Sequence, residues 1–295
     1  MPEYRQFCGP MHRWPGSLAS AFTLLPTMPT YQGNLRKMSA TADDPIRYQL
    51  SLGEDTLVMN DLIGQPLTLR FDGVIHCKIC GRETKKSFGE GFCYPHFMNH
   101  PANSPCILRP ELCEGHLGKG RDPEWEQAHH VQPHVVYLAL SSAVKVGVTR
   151  ETQLPTRWID QGASQAIVLA EVPYRQLAGQ IEVALKDHYT DKTSWQKMLK
   201  NDVATDVDLA AEKARAAEYL PAELQRYLVE DEDIAELVYP VQAYPPKVKS
   251  VNFDKAEQIA GTLTGIKGQY LLFDDNRVFN VRRHTGYLIS LQTSA

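Results

Sequence analysis

The chain has 295 residues, 43% of them hydrophobic, and a formal net charge of -4 from 31 Lys and Arg against 35 Asp and Glu. That length holds one large domain or two to three small ones, and the mixed composition is that of a globular protein. The slightly acidic balance excludes a chain that coats nucleic acid by bulk charge, so any phosphate-binding surface must be local. No apolar run approaches the roughly 18 residues that a membrane span requires, and no membrane partner is expected.

Residues 1–45, rich in Pro, Ser, Thr and Gly, read as a poorly ordered N-terminal extension. Within it, S-L-A-S-A-F-T-L-L-P-T-M at 17–28 has the weak look of a signal-peptide core. Clustered thiols downstream argue for a reducing, cytoplasmic setting instead, and the stretch is read as lying before a start at Met28 or Met38. From Tyr48 the pattern turns to strands: Y-Q-L-S-L, a G-E-D turn, T-L-V-M-N, then P-L-T-L-R-F-D-G-V-I-H with Leu67, Leu69 and Phe71 alternating against polar residues.

Residues 46–75 are therefore the first part of a β-rich subdomain. Its second part is expected at 246–295, where Q-Y-L-L-F, R-V-F-N-V-R and G-Y-L-I-S-L have the same character. Between them, 76–134 is irregular and dense in Gly, Pro, Cys and His. Residues 135–204 read as an α/β core. It comprises strand V-V-Y-L-A-L, turn, strand V-K-V-G-V-T, a helix over Thr156 to Gln161, a strand at 166–172, and a helix from about Tyr174. That last helix puts Leu177, Ile181, Ala184, Leu185 and His188 on one face and also carries Glu182. Residues 205–245 read as a helical segment, with V-E-D-E-D at 229–233 as a solvated helix end. The fold class is α+β.

Five of the six cysteines fall between Cys77 and Cys113, and Cys8 stands apart. Cys77-x2-Cys80 followed by Cys93-x2-His96 has the spacing of a structural zinc knuckle, in which thiolates and an imidazole close a tetrahedron. A second set is Cys106, Cys113, His116 and one His of 129, 130 or 134. His130 is preferred because it would tie the module to the following strand, and His100 is the rival. Both sites look closed, so two Zn²⁺ ions are expected to fold residues 76–134 rather than to catalyse.

The succession V-V-Y-L-A-L, K-V-G-V-T, R-W and a helix bearing Glu182 resembles the GIY-YIG nuclease superfamily. The resemblance implies an antiparallel three-stranded sheet and a metal-dependent endonuclease. Tyr137 would orient water, Gly147 would be the second motif's glycine, Arg157 would hold phosphate, and Glu182 would bind Mg²⁺ or Mn²⁺. Lys145 stands where the second tyrosine would be and would assist charge neutralisation; Ser194 stands for the motif's late polar residue. The chain from about Tyr31 to Leu291 also resembles the bacterial domain-of-unknown-function family 2797. The stretches that carry this are Y-Q-G-N-L-R-K-M, C-G-R-E-T-K-K-S-F, L-R-P-E-L-C, Y-L-A-L-S-S, V-K-V-G-V-T-R, R-W-I-D-Q-G-A and A-G-Q-I-E-V-A-L-K. In that family Cys stands at the positions of His96 and His130, which keeps a zinc donor at each.

The basic run G-R-E-T-K-K-S-F at 81–88, with Arg109, Lys119, Arg121, Lys145, Arg150 and Arg157, could track a phosphate backbone. Trp158 reads as core rather than as a base-stacking residue. The leading expectation is a zinc protein that binds DNA or RNA and cleaves phosphodiesters with Mg²⁺. The other is a non-catalytic zinc adaptor that binds RNA or a protein partner.

Overall fold

Apolar and polar residues alternate along a strand that covers a core with one face, and both sets turn apolar when both faces are covered. The computed structural model describes residues 29–189 and 194–294. The 17–28 stretch, Met28 and Cys8 lie outside them. Strand β1 (Thr30–Asn34) begins inside the segment expected to lack order. Strands β2 (Ser39–Thr41), β3 (Arg47–Leu52) and β4 (Asp55–Val58) make a three-stranded sheet of their own. In β3, Tyr48, Leu50 and Leu52 are buried while the residues between them are exposed.

Strand β5 (Pro66–Ile75) leads into the cysteine-rich region. There the regular elements are two short helices, α1 (Tyr94–Asn99) and α2 (Pro123–His130), among single 3-10 turns. A four-stranded sheet follows, built from β6 (His134–Leu140), β7 (Val144–Arg150), β8 (Gln165–Val172) and β9 (Ile234–Glu236) in the order β7-β6-β8-β9. Helix α3 (Thr156–Asp160) sits between β7 and β8, and α4 (Arg175–Leu185) follows β8. Helices α5 (Trp195–Leu199), α6 (Leu209–Glu218) and α7 (Ala222–Gln225) precede β9. The acidic 229–233 run, expected to end a helix, is instead irregular chain, exposed from Glu230 onward. It is tied by the Val229 N–H to the Leu169 carbonyl and leads into β9.

Strands β10 (Lys249–Val251), β11 (Gln258–Lys267), β12 (Tyr270–Phe273), β13 (Arg277–Asn280) and β14 (Tyr287–Thr293) complete the chain. They join β1 and β5 in a seven-stranded sheet of order β1-β14-β5-β11-β12-β13-β10. Of residues 46–75, only β5 enters this sheet; β3 and β4 belong to the smaller one.

All seven residues of β6 are buried, because the four-stranded sheet is covered twice. Val135, Tyr137 and Ala139 share a core with the seven-stranded sheet, together with Trp158 and Ile159 of α3. Val136, Leu138 and Leu140 pack instead with Leu177, Ile181 and Leu185 of α4 and Leu209 and Ala216 of α6. Each large side chain so buried contributes about 1.5–3 kcal/mol, and β6 contributes to both cores. Helices α3 and α4 lie on opposite faces of this sheet, and β7 is its edge. Among the described residues no helix is long and apolar enough to cross a membrane.

Candidate metal centres and the adjoining cleft

Cys77 lies two residues beyond β5, Cys80 three residues on, and Cys93 and His96 stand at the start of α1. A backbone hydrogen bond from Gly81 to the Cys77 carbonyl, 2.9 Å, closes the turn that aims the first two thiols at one point. The four donor atoms lie within 4.8 Å of one another, with the His96 Nδ1 3.3 Å from the Cys77 sulfur and 3.4 Å from that of Cys93. A tetrahedral zinc with bonds of about 2.0–2.3 Å separates its donors by roughly 3.3–3.8 Å, so this cluster could hold one. Burial pushes the Cys77 thiol up. Amide hydrogen bonds from Cys80, Cys93 and Ile79, with His96, outweigh it and bring the thiol down to about 6.

The second cluster gathers Cys106, Cys113, Glu126 and His130, all buried. His130 Nδ1 lies 3.4 Å from the Cys113 sulfur and 3.9 Å from that of Cys106, and it also contacts the Glu126 carboxylate. The Cys106 thiol donates a hydrogen bond to Cys113 and holds it well below the usual thiol range. Glu126 takes the place expected for His116. The physical reason is helical spacing: residues four apart share one face of α2, so Glu126 and His130 reach the same point. His116 stands outside the cluster, its ring stacked on Tyr174 at 4.4 Å. Of the other candidates, His129 stacks on Trp125, His134 donates Nδ1–H to the Gln132 carbonyl, and His100 packs on Phe92. This set is also one that zinc accepts, since a carboxylate can complete a thiolate and imidazole shell.

The second cluster is clamped to α4. Arg175 donates from Nε to the Cys106 carbonyl and from Nη2 to that of Ile107, both at 3.0 Å. Gly179 lies so close to the 110–111 backbone that a Cβ there would sit 2.1 Å from the Glu111 nitrogen. Only glycine allows that approach.

A cleft of about 520 Å³ runs along the β7 edge, between this turn, α2, α3 and α4. Gly147, Arg157 and Glu182 line it, with Lys37, Arg150, Arg175 and Arg282. Lys37 is paired with Asp160 and Arg282 with Glu90, yet cations outnumber acids on its walls. Of the basic residues singled out in the sequence, Arg150 and Arg157 reach it; Lys145 does not.

Tyr137 lies beneath the cleft, 0% exposed. Its hydroxyl donates to the Gln161 Oε1 at 2.9 Å. Tyr137 and Gly147 are cross-strand partners, and a Cβ on Gly147 would meet the Tyr137 hydroxyl at 2.5 Å. The glycine is the space into which the phenol fits. Burial raises the Tyr137 phenol, against a pull downward from the Arg157 guanidinium. Lys145 is buried too; burial, and then Arg157, bring it down to about 7. The sequence thus brings Arg157, Glu182 and Gly147 to one cleft, while Tyr137 and Lys145, expected to face it, are buried and do not line it. Trp158 is buried and meets Tyr137 edge-on at 6.0 Å.

Fold and clusters together define a mixed α+β protein with two cysteine-histidine sites, each of which could hold a zinc ion. The chain belongs to the family described as Protein of unknown function (DUF2797), whose model matches residues 64–289. That match runs from β5 through both clusters and the cleft into β14. No curated protein and no solved structure matches the chain.

Proposed function

We propose that the cleft binds the phosphate backbone of a nucleic acid. In this reading residues 135–204 are a GIY-YIG-like core that cleaves phosphodiesters with Mg²⁺ or Mn²⁺. The observation that carries it is that Arg157 and Glu182, from helices on opposite faces of one sheet, line a single cation-rich cleft beside Gly147. A guanidinium there stabilises the charge that a phosphodiester gains on its way to products. Mg²⁺ keeps several waters and needs only one or two carboxylates, so the half-buried Glu182 fits as its protein ligand. When bound, the ion would neutralise phosphoryl oxygens. Tyr137, under the surface, acts through Gln161 and the Arg157 side chain. The two zinc ions are structural: the first shapes the loop after β5, the second fixes the turn that walls the cleft.

The test is incubation of the metal-loaded protein with branched, single-stranded and duplex DNA and RNA in Mg²⁺ or Mn²⁺, repeated with Glu182→Ala. Cleavage abolished by that change, with binding kept, is the expected result. A specific observation favours a second reading, a non-catalytic adaptor: the phenol of Tyr137 and the amine of Lys145 are both buried away from the cleft. Binding without cleavage by the wild-type chain selects that reading, and absence of both removes nucleic acid as the ligand.

A further inference from the structure

Helix α2 carries an aromatic pair that the metal cluster does not use. The Trp125 and His129 rings stack with centroids 3.9 Å apart and planes 9° from parallel. Both are half-buried, and both line the cleft that Arg150 and Arg157 also line. The pair is fixed before any ligand arrives. His129 Nδ1–H donates to the Trp125 carbonyl at 2.8 Å, and the Trp125 backbone N–H donates to the Asp122 carboxylate that caps the helix, 3.1 Å. His130, a donor of the second cluster, stands edge-on to the Trp125 ring at 5.1 Å, so whatever holds the cluster also holds the platform.

A flat ring pair beside guanidinium groups matches the two halves of a nucleotide. Every base has a π-face to lay on an aromatic ring, and every phosphate a charge for an arginine. Bases inside a duplex already spend both faces on their neighbours, so only an unpaired base can use the platform. Rigid rings also lose little freedom on binding, which raises affinity for the ligand that fits them.

Resting on the reading of the cleft as a nucleic-acid site, we infer that it selects single-stranded nucleic acid. An unpaired base stacks on the Trp125–His129 pair while Arg150 and Arg157 hold the flanking phosphates. Trp158, the tryptophan next to Arg157, cannot serve, because it is core.

Fluorescence anisotropy with the metal-loaded chain tests this. The probes are a labelled single strand, a duplex of equal length, and a strand of the same length whose sugars carry no bases. The expected result is single-strand affinity about 10-fold or more above the other two, which is the range of one base–aromatic stack. Trp125→Ala removes that advantage and leaves the abasic strand bound as before; Trp125→Phe keeps most of it. Equal affinity for all three probes overturns the stacking inference while the cleft remains a nucleic-acid site. Failure of the folded protein to bind any of them at low salt overturns the underlying reading as well. If Trp125→Ala does not fold, the abasic comparison on the unchanged protein decides.

Discussion

In the first cluster Cys80 is exposed and Cys93 and His96 are half-buried; in the second all four donors are buried. The first closes a surface loop at the end of β5. The second stands under a turn whose carbonyls are gripped by Arg175 and whose backbone rests on Gly179. Similar donors therefore have different work. An ion in the first would organise one loop, and an ion in the second would set the distance between the cysteine-rich region and the helix that carries Glu182.

The largest expected effect comes from removing the second ion. Cys113→Ser should cost one equivalent of zinc by elemental analysis, destabilise the chain by more than about 3 kcal/mol, and abolish ligand binding in the cleft. Retention of two equivalents and an unchanged melting temperature would show that the buried cluster is not a metal site. Next is Gly179→Ala. On an exposed helix face Ala would stabilise by up to about 1 kcal/mol. Here it should destabilise by about 1–3 kcal/mol, because the methyl overlaps the Glu111 backbone. Chemical denaturation reads the sign, and a gain in stability would separate the turn from the helix. Cys80→Ser should be milder: one equivalent of zinc lost, a smaller fall in melting temperature, and cleft affinity within about twofold of the parent, since the ion's reach is local. A cleft that fails with this change would make the two clusters equivalent.

A last effect separates the buried amine of Lys145 from both metals. Lys145 is brought down to about 7 in the folded chain by burial and by Arg157, against about 10.4 in an unfolded one. Between these values the unfolded state binds the extra proton, so this group makes stability rise with pH from about 7 to 10. Lys145→Met should flatten that rise in urea titrations at successive pH values. An unchanged slope would place the titrating group elsewhere.

Much of this architecture was readable from residue order. The alternation in Y-Q-L-S-L and the continuous V-V-Y-L-A-L marked β3 and β6, since one strand is covered on one face and the other on two. The first cluster was legible because its ligands are close in sequence and close in space. The second was not fully legible. Glu126 is an ordinary helical carboxylate until α2 turns it toward Cys113, and only its four-residue spacing from His130 gave a signal. Arg175 and Gln161 were invisible, because their partners are backbone carbonyls and a tyrosine far off in sequence. Burial of Tyr137 and Lys145 was missed for a similar reason. Strand alternation says which residues share a face, and tertiary packing alone says whether that face meets solvent.

The order of strands in the seven-stranded sheet has a consequence for synthesis of the chain. β5 lies between β14 and β11, and β11 begins only at Gln258. A growing chain therefore carries β5 with both edges bare while the two cysteine-histidine modules, the cleft and helices α3 to α7 are all delivered. Bare edges invite pairing with other chains, and contacts so distant in sequence form slowly. The sheet that frames the inserted region is sealed last, when the segment ending at Thr293 slots between β1 and β5.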